Sequence, residues 1–546
     1  MRKIPILFAL SVLAFASCDD VLNVESPAIF SESTIWSGNE TALDTYIIGH
    51  YGAIRDRAQL NNLNERFTDA LTDVIKSGDW NQAQRYNRVM TTNYFTPESC
   101  GILDNWADTY GRIRRDNEFF RDLEIHKDKY REEFLKPRVA EMHFIRAFSY
   151  YYLIRVFGGV VIRTSLDGPE ENNKARSSEA ESWQYAIDEL KLATEDLPLV
   201  WDAANFGRIT KAAAYGFLSR VALYAKQWDL AVEAADKCRE AGGALDPSYA
   251  HVFADQKSPE NLLTVTFFKA NVAANLSTNA DPMFRPSGDG LTHKGDRKIL
   301  AWLVPTAELA DSYEMADGTP FSWELHGSDP YADREPRFYA SVLYNGAEWE
   351  GRTIESFVGG KDGIQKFEKS TPTSSTVTGY YLKKFITEND HSWDTQGSSH
   401  FDIMLRYGEV LLNKAEALAQ SNWNTNRTAA LAALNEVRAR VGLPARDAVS
   451  LAAFMRLIEH ERMVELAGEG FRYWDLRRWR RAMDVLNGTS VHGTRITREA
   501  DGTFKYTPVD VDAGDTRIFM ERFYAFSIPL SERTRNTAFG ENNPGW

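Results

Sequence analysis

Cysteine is scarce: the 546-residue chain has three, Cys18, Cys100 and Cys238. That excludes a disulfide-stapled scaffold, and the connectivity of Cys100 and Cys238 is not readable from sequence. An excess of positive charge is also lacking. The formal net charge is -14, which argues against a nucleic-acid partner, because phosphate recognition leaves a basic footprint. After the first residues no apolar run approaches the about 20 residues that a membrane-crossing helix needs. Catalytic signatures are missing too. His460-Glu461-Arg462-Met463-Val464 opens like the zinc motif H-E-x-x-H but places Val464, which cannot bind metal, at the second ligand position. Gly359-Gly360-Lys361 lacks the spacing of a phosphate-binding loop, and no Gly-x-Ser-x-Gly elbow occurs. The ten histidines are scattered without ligand spacing. No metal, cofactor or catalytic residue is expected.

What is present begins at the N-terminus. Arg2 and Lys3 precede an apolar stretch from Ile4 to Phe15, then small Ala16 and Ser17, then Cys18. The run is too short to span a bilayer and reads as a removable export signal. Phe15-Ala16-Ser17-Cys18 resembles a bacterial lipobox, with Phe15 in place of the usual aliphatic residue. The resemblance implies cleavage before Cys18 and acylation of it, and two or more chains anchor a protein stably. Asp19 and Asp20 follow. Acidic residues there resemble an outer-surface signal in Bacteroidota, whereas in enteric bacteria an Asp resembles an inner-membrane retention signal.

The remainder reads first as helices. Glu40 to Leu60, Asp104 to Ile125 and Asp128 to Phe157 carry helical periodicity, with Pro137 marking a start or a break in the third. Ala140 to Phe157 is apolar nearly all round, so it is expected inside other helices, and Gly158-Gly159 stops it. Ser182 to Leu197 is amphipathic. Thr210 to Lys226, capped by Thr210, and Asp229 to Ala241 form an alanine-rich hairpin that looks like a tetratricopeptide repeat. From Gly242 to His400 short apolar pieces alternate with Gly, Pro, Ser, Thr and Asp, a loop-rich region with short strands. Helices return over Ile403 to Gln420, Thr428 to Val441, Leu451 to Ala467 and Phe471 to Leu486. The fold class is therefore mainly α: a tetratricopeptide-like helix-pair scaffold with a long loop-rich insertion containing short strands. The division expected is a signal at 1–17, an N-terminal helical domain at 18–241 and a C-terminal domain at 242–546, the last made of loops 242–400, helices 403–486 and a tail 487–546.

Two charged features invite a functional reading. Glu461, Glu465 and Glu469 lie at i, i+4 and i+8, one face of one helix. Phe471 to Arg481, FRYWDLRRWRR, is basic and aromatic, as a nucleic-acid patch is. The reading preferred for both is structural, as ion pairs between glutamates and neighbouring arginines such as Arg462 and Arg472.

Several stretches in order resemble the SusD/RagB family of outer-membrane nutrient-uptake lipoproteins: CDDVLNVESP, AEMHFIRAFSYYYLIRVFGGVVI at 140–162, GRITKAAAYGFLSRVALYAKQWDLAVEAAD at 207–236, LRYGEVLLNKAEALAQ at 405–420, ERMVELAGEGFRYWDLRRW at 461–479 and the C-terminal FSIPLSERTRNTAFGENNPGW. The resemblance implies four tetratricopeptide-like helix pairs and a loop-rich ligand face. It also implies a non-catalytic lid that captures an oligosaccharide or polysaccharide for a SusC-like TonB-dependent transporter, held at the outer surface by lipid on Cys18. It favours the outer-surface reading of Asp19 and Asp20. Capture of peptides, as RagB-type proteins do, a surface glycoside hydrolase and a pure interaction scaffold are the competing readings.

The family's ligand residues vary, so candidates come from composition. Aromatic residues are 12% of the chain, with 14 Trp, and their faces suit sugar C–H groups as well as ordinary cores. Trp80, with Asn81 and Arg85 beside it for hydrogen bonding, Trp302 and Trp323 lie in loop-like sequence and are the chosen candidates. Tyr331, Trp349 and Trp393 rank below them.

Overall fold

The computed structural model describes residues 31–58, 65–77, 95–166, 172–267, 284–290, 292–293, 297–298, 301, 303–364, 375–389, 400–512 and 514–546. In chain order the helices that matter here are α1 (Glu40–His50), α2 (Trp106–His126), α3 (Glu132–Phe157), α4 (Glu179–Asp196), α5 (Lys211–Tyr224), α6 (Trp228–Glu240), α7 (Tyr249–Ala254), α8 (Ala307–Ser312), α9 (Pro336–Ser341), α10 (Tyr407–Arg440), α11 (Leu451–Glu465) and α12 (Arg472–Arg478). The strands used below are β1 (Ile75–Ser77), β2 (Asn261–Thr266), β3 (Leu303–Pro305), β4 (Val342–Leu343), β5 (Tyr381–Leu382), β6 (Phe401–Arg406), β7 (His492–Arg498) and β8 (Phe504–Asp510).

Helices α2 to α6 pack each on the next, and α6 then packs on α10 and α10 on α11, across the whole length of the insertion. Local chemistry sets the helix ends. Ser178 makes a reciprocal capping box with Glu181 at the start of α4, and Thr210 caps α5. The middle of the stack is aromatic. Phe144, Phe148 and Tyr151 of α3 surround Phe217 of α5 at centroid distances of 5.2–5.4 Å. Gly158 ends α3 at φ +71. At Gly159 a Cβ would lie 2.3 Å from the Ser177 carbonyl oxygen, so only glycine lets the two chain segments cross there. No described helix is long and apolar enough to cross a membrane.

The strands pair in twos. β1 runs antiparallel to β3, β2 to β6, β4 to β5, and β7 to β8. The β2–β6 ladder lies against α5, where a Cβ on Gly216 would meet Leu262, Leu405 and Val410 at 3.0–3.2 Å.

The structure corrects several boundaries. A helix expected from Ile403 is strand β6 through Arg406. It is buried on both faces, with Asp402 paired to Arg66 at 2.5 Å and Arg406 in an ionic cluster, so its polar residues mimic helical spacing. The expected helices 403–420 and 428–441 are one element, α10, broken at Asn422 (φ -161, ψ 97), whose side chain accepts the Thr425 N–H and starts the second part. Pro137 neither starts nor breaks α3; it sits in the second turn, where only one early backbone bond is lost. The segment 471–486 holds two short helices separated at Arg480, φ +61. Cys100 and Cys238 are both free and buried.

Candidate functional site

A cavity of about 910 Å³ opens in the insertion. One side comes from the β2–β6 ladder through Thr266, Phe267, His400 and Phe401. The other sides come from Phe253 and Gln256 at the end of α7, from Tyr339 of α9, and from residues 383–388 after β5. Its size is in the range of small-molecule sites. The walls are aromatic: Phe253 meets Phe385 edge-on at 5.5 Å, and His400 stacks on Phe401 at 5.4 Å. Phe385 holds φ +66, a conformation that side chains with a Cβ rarely adopt. Hydrogen-bonding groups stand around the walls. Thr266 donates to Gln256 at 2.9 Å, and Lys383 faces Glu388 at 3.5 Å. Burial, then the Arg66 charge, pushes His400 down to about 3, so it is neutral at ordinary pH.

The floor of this cavity rests on buried charge. Arg406, at the end of β6, binds Glu260 at 2.6 Å, Glu465 at 2.7 Å and Glu469 at 2.8 Å. Arg440 joins Glu260 and Glu465 at 2.9 and 2.5 Å. Arg337 of α9 binds Glu335, Glu461 and Glu465 at 2.7, 2.5 and 3.0 Å, and Arg438 binds Glu461 and Glu314 at 3.0 and 2.8 Å. Lys384 donates to Glu469 at 3.0 Å and to the carbonyls of Glu465 and Ala467. Burial works to raise the Glu465 pKa, but the guanidiniums of Arg440, Arg406 and Arg337 outweigh it and hold the carboxyl well below the usual range. Burial pulls Lys384 down to about 8 against the opposing pull of Glu469.

The glutamate stripe is thus structural, as expected, but with different partners. Arg462 pairs with Asp475 at 2.7 Å, and Arg472 with Asp73 and Glu459 at 2.8 and 3.1 Å. The true partners of Glu461, Glu465 and Glu469 come mostly from the insertion and its return strand. The arginines of the basic run also make internal contacts: Arg478 binds Glu416 and Asp475, Arg480 binds Glu521, Arg481 binds Glu459, and Arg477 donates to the Tyr524 carbonyl.

Of the residues chosen from sequence only Trp323 is described, and it does not line this cavity. Trp80, Asn81, Arg85, Trp302, Trp393 and Cys18 lie outside the described residues. Trp323 is half-buried and packs elsewhere. Its indole N–H donates to Asp311 of α8 at 2.8 Å, and its ring meets Phe321 at 5.3 Å and Tyr506 of β8 at 5.9 Å. Burial raises Asp311 to about 6, against the effect of that N–H. Trp349 and Tyr331 are core residues, Trp349 bonding Asp289 and Tyr331 packing on Phe338 and Tyr344. The cavity's own aromatics gave little signal, because Phe253, Tyr339 and Phe385 sit in unremarkable apolar pieces and meet only through tertiary pairing.

Comparison with known proteins matches this architecture. Residues 259–546 match the model of the SusD family, and residues 20–223 match a model described as starch-binding associating with outer membrane. SusD-like protein P38 of Formosa agariphila is 23% identical over 516 residues, covering 89% of this chain and 92% of its own. The crystal structure of a SusD-like protein from Bacteroides fragilis superposes with a TM-score of 0.80 at 26% identity, over 94% of this chain and 99% of that one. A laminarin binding SusD-like protein superposes with a TM-score of 0.67 at 21% identity, over 93% of this chain and 100% of that one. The helical stack, the interrupting insertion and a family model matched over more than half of the chain lead to one conclusion: this protein belongs to the SusD family.

Proposed function

We propose that this protein captures glycan on the loop-rich face and delivers it, without cleaving it, to a SusC-like TonB-dependent transporter at the outer membrane. The observation that carries the reading is the cavity of about 910 Å³ in the insertion, walled by Phe253, Tyr339 and Phe385 and edged by hydrogen-bonding side chains. Aromatic faces beside polar groups are what a sugar ring needs, since it presents C–H faces and hydroxyl edges at once. The name of a laminarin-binding relative with the same fold agrees with this ligand class. A lid role gives the anchor at Cys18 its purpose, keeping the protein on the cell surface beside its barrel.

Binding rather than hydrolysis is favoured by the fate of the conspicuous carboxylates. A glycosidase needs two carboxyls facing a cleft about 5–10 Å apart, and Glu461, Glu465 and Glu469 are committed to arginine and lysine. Trp80, with Asn81 and Arg85 beside it in sequence for hydrogen bonding, and Trp302 are proposed as further sugar-stacking residues. Trp323 would contribute a separate, half-buried platform against α8.

Isothermal titration with laminari- and malto-oligosaccharides, and with a peptide pool, tests the reading. Phe253→Ala with Tyr339→Ala, and separately Trp80→Ala with Trp302→Ala, are the diagnostic pairs. Glycan affinity should fall at least about tenfold in one pair or both, a loss of about 1.4 kcal/mol. Unchanged affinity in both, or binding of peptides alone, sinks the glycan reading.

A further inference from the structure

A second cavity, about 530 Å³, lies on the helical scaffold, away from the insertion. It is formed by the turn from α5 to α6, by α10 and α11, and by the end of α12. Lys226, Arg456, Arg478, Arg480 and Arg481 line it together with only two carboxylates, Glu416 and Glu459. Both carboxylates are engaged. Glu416 accepts from Arg478 at 2.7 Å and from the Trp479 indole at 2.8 Å, and Glu459 from Arg481 and Arg472 at 2.6 and 3.1 Å. Among the described residues the exposed side chains of Lys226 and Arg456 have neither a hydrogen bond nor an ion pair. In a chain of net charge -14, this hollow concentrates cations beside Trp228, Trp479 and Tyr224.

The backbone adds an independent argument. Four helices end in the same turn, in which one residue takes a left-handed φ, its N–H bonds the carbonyl three residues back, and the next N–H reaches five back. After α6 and α10 that residue is glycine, Gly242 (φ +107) and Gly442 (φ +76). After α5 and α12 it is Lys226 (φ +58) and Arg480 (φ +61), and both line the cavity. Glycine is the residue such turns favour, and a Cβ there is strained. Arg480 has a local use, since it pairs with Glu521 and stacks on Tyr524 at 3.7 Å. Lys226 has none in the described fold.

We propose that this cavity is a second binding site, for an anionic sugar, with the ring held by Trp228 and Trp479 and a carboxylate or sulfate met by Lys226 and Arg456. The site is independent of the cavity in the insertion. Isothermal titration of the full chain would use trigalacturonate, a sulfated galacto-tetrasaccharide, neutral maltotriose and tetraglutamate. Lys226→Gly with Arg456→Gln should weaken one or both acidic sugars at least tenfold, with the melting temperature at or above that of the parent. The affected arm tells carboxylate from sulfate. Phe253→Ala with Tyr339→Ala should leave that binding intact, so failure here and failure of the glycan-capture reading are separable. The proposal is overturned if no acidic sugar binds, if maltotriose binds the cavity equally well, if the cationic variant keeps its affinity, or if tetraglutamate binds more tightly through Lys226.

Discussion

The helical scaffold and its junction with the insertion bury polar groups in different ways. In the N-terminal half of the scaffold, buried charges come as small sets, Arg146 with Glu189 and Arg208 with Glu141, set in aromatic and alanine-rich packing, while Arg220 and Glu409 lead through Asn413 into a chain of Arg462, Asp475 and Arg478. At the junction Arg337, Arg406, Arg438, Arg440 and Lys384 share Glu260, Glu314, Glu335, Glu461, Glu465 and Glu469 as one continuous network. Apolar packing is non-directional and accepts alternatives of equal volume. A shared network of guanidiniums and carboxylates accepts one arrangement, because each lost partner strands several others in low dielectric. The scaffold is held by volume, and the insertion is held in register by charge.

The sharpest way to break that contrast is at Arg406, whose side chain reaches three glutamates and a backbone carbonyl. Arg406→Ala should destabilise by about 3–5 kcal/mol, the range for removing one member of a buried ion cluster. Denaturant unfolding gives the number. Arg406→Lys keeps the charge but cannot reproduce the fork of donors, so it should lose more than half as much. A loss under about 1 kcal/mol for Arg406→Ala would mean the network adds nothing to stability.

Acid should separate the two regions next. Asp512 ties β1 to the C-terminal tail, with Lys76 at 3.1 Å and Arg517 at 2.8 Å. Burial tends to raise its pKa, but Arg517 and Lys76 prevail and bring it from 3.8 to about 2. A carboxyl whose folded pKa is depressed stabilises the fold above its unfolded pKa, and that stabilisation is lost as pH falls from about 4 through about 2. The contribution is about 2 kcal/mol. Asp512→Asn should be less stable than the parent at pH 6, and the gap should close toward pH 2. A gap constant over that range would assign the effect to packing.

The same contrast explains what the sequence made legible. The alanine-rich hairpin α5–α6, the cap at Thr210 and the stop of α3 at Gly158 rest on neighbours within a few residues and appear as read, whereas α3 starts at Glu132 and runs through Pro137. The glutamate stripe was legible as structural, but its partners were not, since Arg337 and Lys384 approach from segments more than eighty residues away. Strand β6 was misread because buried, ion-paired Asp402 and Arg406 erase the alternation that marks a half-exposed strand. The cavity in the insertion has the same origin. Phe253, Tyr339 and Phe385 converge only once the junction has placed α7, α9 and the β5 loop around the β2–β6 ladder.

The smallest expected effect sharpens the comparison most directly. Leu153 lies fully buried in α3, inside the apolar stack. Leu153→Met conserves volume and hydrophobicity, and methionine's unbranched chain adjusts to irregular space. It should destabilise by less than about 1.5 kcal/mol. Arg406→Lys is equally conservative by charge and length, and equally buried. If thermal and denaturant unfolding rank Leu153→Met as the more damaging of the two, the division between a scaffold held by volume and a junction held by charge is wrong. If Arg406→Lys is worse and also lowers glycan affinity while Leu153→Met leaves it unchanged, the junction sets the geometry of the binding face as well as its stability.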